Sequence, residues 1–241
     1  MLANLQYRSN EAELMDNPEI EEKALQIALS DISRVNKWLG GNAITNKAIH
    51  TLVKNLNPSQ EITILDLGCG DGEMLRAIAD SFRKEKRNIN LIGIDLNSKC
   101  LDYAIKTSAL YPEISFFNKD ILEIEASEFS CDIIICTLTL HHLRNEEIKK
   151  IIKKAINLAK TAVVINDLHR STLAYYLFKI FSFFFIKGYV AKNDGLVSIK
   201  RGFKKKELLY FAKALHLQEY KIDWKWAFRY RWIIKTACKK N

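Results

Sequence analysis

From Ile64 to Gly72 the chain reads Ile-Leu-Asp-Leu-Gly-Cys-Gly-Asp-Gly, an apolar run that breaks into closely spaced glycines. Such spacing permits a tight strand-to-helix turn and lets a ligand approach bare backbone. A pyrophosphate-binding turn would read G-x-G-x-x-G and set the phosphates at a helix N-terminus. Here the last position of that pattern is Glu73, and Asp66 stands two residues before the first glycine. Carboxylates in these places suit a cationic ligand better than a pyrophosphate. Asp95 closes the next apolar run, and a carboxylate there can accept hydrogen bonds from both hydroxyls of a ribose.

Two further segments carry groups that move protons. Thr137, Thr139, His141 and His142 follow one apolar run, and Asp167, His169 and Arg170 follow another. Three of the five histidines fall in these two segments. In open α/β sheets, ligands bind beyond the carboxyl ends of the strands, which is where both segments lie. Histidine titrates near neutrality and can help to deprotonate a phenol or enol. His141 is the first choice for such a base, with His142 and His169 as the others. A histidine that merely packs or bonds a backbone carbonyl is the competing reading. The five cysteines, Cys69, Cys100, Cys131, Cys136 and Cys238, include no C-x-x-C pair and sit in apolar contexts. They read as reduced thiols rather than zinc ligands or disulfides.

The elements that position these groups follow from apolar periodicity. Runs at Ile62–Leu67, Leu91–Asp95, Ile114–Phe117, Asp132–Cys136 and Ala162–Asn166 read as buried strands. Helical stretches near 72–86, 98–109 and 145–159 separate most of them, which implies a mostly parallel sheet covered by helices. Glu219–Trp226 and Tyr230–Ala237 have strand composition and suit an antiparallel edge hairpin. Upstream, residues 18–39 read as a helix with Asn17 as N-cap, Pro18 in the first turn and Gly40-Gly41 at its end. A second helix is predicted over 43–56, stopped by Pro58. The division expected is an N-terminal helical segment, 1–58, packing on the ligand site, then a domain over 59–241 with a cap insertion at about 168–203.

The glycine turn with Asp66, Asp95 and Asp120 in register resembles class I S-adenosylmethionine-dependent methyltransferases, over at least residues 60–167. The resemblance implies a Rossmann-like, doubly wound, mostly parallel sheet with an antiparallel C-terminal edge hairpin, N-terminal helices and a helical cap insertion. It implies S-adenosylmethionine as cofactor. Gly68, Cys69 and Gly70 would offer backbone beneath its amino-acid part, and Asp66 would organise the loop. Asp95 would take the ribose, with Leu96, Asp120 and Ile121 about the adenine and Cys136 close by. More narrowly, Glu13-Leu14-Met15-Asp16, Arg34-Val35-Asn36, Leu140-His141-His142, Ile165-Asn166-Asp167-Leu168-His169-Arg170, Asp194-Gly195 and Phe228-Arg229 resemble the ubiquinone-biosynthesis-type group and bacterial methyltransferases found with type III polyketide synthases. That resemblance implies a small lipophilic acceptor, phenolic or polyketide-like, methylated on oxygen rather than carbon. Thr137, Arg170 and Tyr176 are the acceptor-binding residues expected. A metal-dependent catechol-type enzyme would place Asp at the end of strand four and Asp-Asn after strand five. This chain has Cys136-Thr137 and Asn166-Asp167, so no metal is expected. The loop Cys136-Thr137-Leu138-Thr139 also lacks the (Asn/Asp)-Pro-Pro-aromatic signature of base N-methylation, which counts against one large group of nucleic-acid methyltransferases, though not all.

Composition adds the remaining expectations. The chain has 241 residues, 48% of them hydrophobic, enough for a sizeable core. Its charge of +9 is uneven: residues 171–241 hold 16 Lys and Arg against 4 Asp and Glu, whereas residues 1–170 hold 21 against 24. The basic third points to an anionic partner surface or to a solvated face. Residues 173–190 read LAYYLFKIFSFFFIKGYV, with eight aromatic residues in 18. This stretch is too short between its lysines to span a bilayer. It reads as a cap helix, a lid over a lipophilic acceptor, or an interfacial element in transient contact with a membrane. Nothing at the N-terminus reads as a signal peptide, so a cytoplasmic location is expected, peripheral to the inner membrane face where contact occurs. Two rivals stay open, an RNA or protein methyltransferase and a non-catalytic cofactor-binding protein.

Overall fold

A computed structural model describes residues 4–17, 19–57, 59–125 and 127–236. The expected roles of Pro18 and Pro58, the strand end at Ala237 and the thiol of Cys238 lie outside the described residues. A seven-stranded sheet in the order β3-β2-β1-β4-β5-β7-β6 forms the centre. β1 (Ile62–Leu67), β2 (Ile89–Asp95), β3 (Ile114–Asn118), β4 (Cys131–Thr137) and β5 (Ala159–Leu168) are parallel. β6 (Tyr220–Lys225) and β7 (Arg229–Lys235) run antiparallel, with β7 beside β5 and β6 at the edge. The expected doubly wound sheet and edge hairpin are both present.

Strand alternation sorts side chains to two faces. On β1, Ile62 and Ile64 join Ile49, Leu75, Ile78 and Phe82 in one core. These come from α2 (Gly41–Val53) and α3 (Glu73–Lys84). Leu65 and Leu67 face the other core, with Ile148, Ile152 and Phe211 from α5 (Asn145–Leu158) and α8 (Lys205–Ala214). Between β2 and β3, α4 (Ser98–Thr107) is capped by Asn97, whose Oδ1 accepts from the Cys100 N–H at 3.2 Å. The helix α3 shows why the turn before it works. Its apolar stripe, Met74, Leu75, Ile78, Ala79 and Phe82, is buried, and Gly72 enters it at φ 74°. A Cβ on Gly72 would lie 2.7 Å from the Phe116 ring, so only glycine suits that approach.

The N-terminal helix starts later than its sequence suggests. α1 covers Glu22–Trp38 and is preceded by a 3-10 turn at Leu14–Asp16. Asn17 does not cap α1. Its Oδ1 accepts from the Glu19 N–H at 3.0 Å and its carbonyl accepts from the Ile20 N–H at 3.0 Å, which closes a turn instead. The segment 173–190 also divides, into α6 (Thr172–Phe185) and α7 (Tyr189–Arg201). The break is held by Asp31 of α1, buried, which accepts from the Lys187 and Gly188 N–H groups at 3.1 and 2.7 Å. Ala28 of α1 packs there against Ile186, Val190 and Ala191. Among the described residues no helix is long and apolar enough to cross a membrane.

Candidate active site

The chain beyond β1 turns sharply because Gly68, Gly70 and Gly72 all take positive φ, at 75, 54 and 74°. The turn is tied to β2 from both sides. The N–H groups of Gly68 and Cys69 donate to the Ile94 carbonyl at 2.8 and 3.0 Å. The Gly70 N–H donates to Asp95 Oδ2 at 2.8 Å, while Asp95 Oδ1 accepts from the Asn97 N–H at 2.9 Å. A Cβ on Gly68 would collide with the Thr139 side chain, whereas one on Gly70 would meet open space. The space beside Gly70 is therefore open to a ligand, with its N–H already given to Asp95.

Asp66 lies below this turn, 1% exposed, with Oδ1 lacking any hydrogen-bond partner. Burial, and after it the neighbouring charge of Asp95, pushes its pKa up to about 8. Burial also raises the Asp95 pKa, against the two N–H groups that it accepts from. Two crowded carboxylates facing one cavity form a natural seat for a cation. Asp120 sits at the end of the loop after β3, where its Oδ1 accepts from the Leu122 N–H at 2.7 Å.

A cavity of about 960 Å³ opens over the carboxyl ends of the strands. Asp66, Gly68, Cys69, Gly70, Asp95, Leu96, Asp120 and Ile121 line one end. Thr137, His141 and His142 line the middle, and Leu177, Phe178, Phe181, Ile186 and Trp226 line the far side. Arg229, 5% exposed, stands on the same wall. Its Nη2 donates to Asn36 Oδ1 at 2.7 Å, its Nη1 has no partner, and burial lowers its pKa to about 10.

Four of the residues expected in the site are elsewhere. Cys136 is buried in the core beneath the sheet, and burial, ahead of nearby carboxylates, holds its thiol pKa well above normal. His169 accepts from Trp224 Nε1 at 3.3 Å and packs edge-on to Tyr230, off the cavity wall. Tyr176 packs edge-on to Tyr175 and does not line the cavity. Arg170 points into the protein with no exposed side-chain surface. It donates to the carbonyls of Leu5 and Gly202 and to Glu207 Oε1, the last at 2.6 Å, and so clasps the N-terminal segment to α8. Arg170 does not line the cavity where an acceptor would sit.

The histidines also differ from expectation. His141 is 2% exposed, and its Nδ1 lies 2.7 Å from Asp167 Oδ1. Its Nε2 lies 3.5 Å from Glu13 Oε1, an ion-pair separation too long for a hydrogen bond. Burial disfavours the imidazolium, but Asp167 and Glu13 outweigh burial and raise the pKa to about 9. Burial would raise Glu13, yet His141, His142 and the Ser198 hydroxyl bring it down to about 2. An imidazole already charged between two carboxylates has no lone pair with which to accept a proton. The geometry thus corrects the reading of His141 as a free general base. Glu13 and Asp167, its partners, come from the N-terminal segment and β5; no local pattern joins Glu13 to the histidines.

The comparisons with known proteins bear on the same span. The family described as "Methyltransferase domain" matches residues 64–162, from β1 into β5. Residues 64–162 thus match a methyltransferase domain, and the sheet and glycine turn around them have the Rossmann-like methyltransferase fold. A YqeM protein of Bacillus subtilis (strain 168), which carries a provisional methyltransferase assignment, is 28% identical over 111 residues. That stretch is 45% of this chain and 42% of the relative, so the chain spans less than half the length of the curated relative it matches. Among solved structures, the plantazolicin methyltransferase BpumL in complex with SAH has the same fold, with TM-score 0.68 at 16% identity over 92% of this chain and 93% of that one. The CurJ carbon methyltransferase gives TM-score 0.66 at 17% identity over 91% of this chain and 62% of that one. Magnesium protoporphyrin IX methyltransferase from Synechocystis PCC 6803 gives 0.55 at 16%, over 84% and 87%.

Proposed function

We propose that this chain methylates a small lipophilic acceptor, phenolic or polyketide-like, on oxygen, with S-adenosylmethionine as the donor. One observation carries the reading: a single cavity joins the Asp66–Asp95 end to an apolar wall of Leu177, Phe178, Phe181, Ile186 and Trp226. The orphaned Asp66 Oδ1 and the open space at Gly70 fit a cationic ligand against backbone. When bound, S-adenosylmethionine supplies an electrophilic methyl group on a sulfonium. Gly68, Cys69 and Gly70 hold its amino-acid part, Asp95 its ribose, and Leu96, Asp120 and Ile121 its adenine. Arg229, with a free Nη1, suits a carboxylate or an ionised acceptor.

The apolar wall excludes water and holds the acceptor ring. Thr137, His141 and His142 form the polar end that faces its oxygen, where the charged His141 stabilises negative charge and Glu13 holds the two histidines. Methyl transfer is a direct displacement, so alignment supplies much of the rate; the acceptor reacts as its phenolate, its proton having gone to solvent before the site closes on it, with the demethylated sulfide as the leaving group. The neighbours fit a small acceptor: one is named for plantazolicin, one for magnesium protoporphyrin IX, and one as a carbon methyltransferase. The basic C-terminal third keeps RNA as the second reading.

The outer face of α6 adds a lipid surface. Phe183, Phe184 and Phe185 are 74, 70 and 52% exposed, whereas polar Ser182 is buried. Phe185 packs edge-on to Trp38, and Tyr189 and Trp226 are also exposed. Exposed Lys37, Lys179 and Lys187 stand around this patch. Rings flanked by lysines match an anionic interface, where each basic residue adds about 1 kcal/mol. Such docking would bring a membrane-dissolved acceptor to the cavity.

An acceptor panel and vesicle sedimentation test the proposal. Turnover is expected with alkyl-substituted phenols above short polar phenols. Binding is expected to phosphatidylglycerol vesicles but not phosphatidylcholine vesicles, weakened by salt and by Phe184→Asp. Preference for polar acceptors would overturn the lipophilic site, and indifference to anionic vesicles at low salt would remove the docking role. Salt-sensitive retention of RNA with turnover on it would favour the second reading.

A further inference from the structure

The wall between the cofactor end and the acceptor end holds a group of side chains that hydrogen bonding leaves unfinished. Glu13, His141 and His142 each offer one donor atom, and these atoms lie within 4.8 Å of one another. His141 Nε2 is 3.5 Å from Glu13 Oε1, and His142 Nε2 is 3.7 Å from Glu13 Oε2. Both separations exceed a hydrogen bond of about 2.7–3.2 Å. His141 Nε2 is buried and has no hydrogen-bond partner. Donors held about 2.0–2.2 Å from one small cation lie roughly 3–3.5 Å apart at tetrahedral angles. The two nitrogen-to-oxygen spacings are close to that, and the three donor atoms together fall within 4.8 Å.

The opposite nitrogens point the same way. His141 Nδ1 lies 2.7 Å from Asp167 Oδ1, and His142 Nδ1 lies 3.2 Å from Asp16 Oδ2. A carboxylate on one ring nitrogen keeps a proton there and turns the other nitrogen outward, the usual outer shell of a histidine metal site; a cation that displaces the Nε2 proton of the charged His141 to solvent then finds a ligand in its place. Both histidines have this arrangement, and both outward nitrogens face the same glutamate. Ser198 Oγ, 2.7 Å from Glu13 Oε1, steadies the carboxylate. The histidine turn itself is pinned: Arg8 donates to the His141 and Leu143 carbonyls at 2.9 Å each, and Arg201 to the His141 and His142 carbonyls at 3.1 and 2.7 Å. The donors are thus set before any ion arrives.

We infer that Glu13, His141 and His142 form a divalent metal site, for zinc or another cation of similar ligand preference, open on the side of the cavity. Two imidazoles and one carboxylate are borderline donors suited to Zn2+ and to first-row ions such as Fe2+ or Co2+, rather than to Mg2+ or Ca2+. Three protein ligands with a position left toward a cavity is the form of a catalytic rather than a structural site. Its place matters only if the methyl-transfer reading holds. An acceptor oxygen reaching the polar end would then meet a Lewis acid that favours its ionised form. Metal binding itself stands or falls separately.

The test uses the full-length chain, freed of chelator and of any affinity tag. Zn2+ is titrated in competition with a chromophoric chelator, and Co2+ is followed by visible absorption. The expected result is one tightly held Zn2+ per chain and cobalt d–d bands without strong sulfur-to-metal absorption, since the described cysteines are buried elsewhere. Glu13→Gln and His142→Ala should each lose at least about tenfold in Zn2+ affinity, and Asp16→Asn a smaller amount. His216→Ala should change nothing. Circular dichroism and S-adenosylmethionine calorimetry check that each variant is folded. Zn2+ binding that is absent in the wild type, or undiminished in both folded ligand variants, would overturn the site and leave an ion-pair cluster only. Zn2+ binding without S-adenosylmethionine binding would keep the metal site and reject the methyltransferase reading; the converse would do the reverse.

Discussion

Arg170→Ala is expected to destabilise the protein by about 3–5 kcal/mol, the cost of breaking a buried ion pair and orphaning its partners. The guanidinium is fully buried, paired with Glu207 at 2.6 Å, and bonded to carbonyls of Leu5 and Gly202. Its loss leaves the Leu5 and Gly202 carbonyls without these bonds and uncouples α8 from the N-terminal segment. Urea denaturation reads the loss directly. At low temperature, where the variant is still folded, S-adenosylmethionine affinity should match the wild type. A large drop in acceptor turnover with unchanged stability would instead restore Arg170 to the acceptor site.

Asp66→Asn should have the opposite effect on the free protein. The Asp66 pKa is raised from 3.8 to about 8 by burial and by Asp95, so the folded state keeps a proton that the unfolded chain releases above about pH 4. The native state therefore binds more protons over this window. The stability linked to Asp66 is fully present below about pH 4 and is lost as pH rises through about 8. Asparagine has no such proton. The variant should equal the wild type at and below about pH 4 and exceed it by about 2 kcal/mol or more at pH 8, read by thermal or urea unfolding across the range. It should nonetheless bind S-adenosylmethionine more weakly, because the charge that favours a cation is gone. A wild-type stability that stays flat between pH 5 and 8 would show that Asp66 is ionised throughout.

The four inner parallel strands were legible because burial on both faces demands unbroken apolar runs, whereas β3, expected to be buried, lies at the sheet edge and is largely exposed. β1 has the boundaries Ile62–Leu67 that its sequence suggests; β2 and β3 extend at one end only, by two residues and by one, and β4 and β5 at both ends by one to three. The glycine turn was legible because three left-handed residues leave little choice of residue type. Where a boundary depended on tertiary contact, the reading failed. Asn17 has the chemistry of a helix cap, but the chain around it closes a turn with Glu19 and Ile20 and α1 begins afterward. Residues 173–190 look like one helix, yet the Asp31 carboxylate from α1 captures two N–H groups and divides it. Histidine placement after β4 was readable, while its chemistry was not. Whether His141 is a free base or a held side chain depends on Glu13, and the metal argument from strand ends did not include that N-terminal residue. Arg170 and Tyr176 were assigned by proximity to β5, but the direction of a side chain after a strand end follows from packing that short motifs do not encode.

The central claim is that the turn between β1 and α3 with Asp66 and Asp95 seats S-adenosylmethionine. Isothermal calorimetry of the full-length chain tests it most directly. The account predicts saturable binding at one site per chain, with Asp95→Ala weaker by about 1–3 kcal/mol through loss of charge-assisted hydrogen bonds. A wild type that does not bind S-adenosylmethionine, or an Asp95→Ala variant that is folded and binds it equally well, would contradict the account.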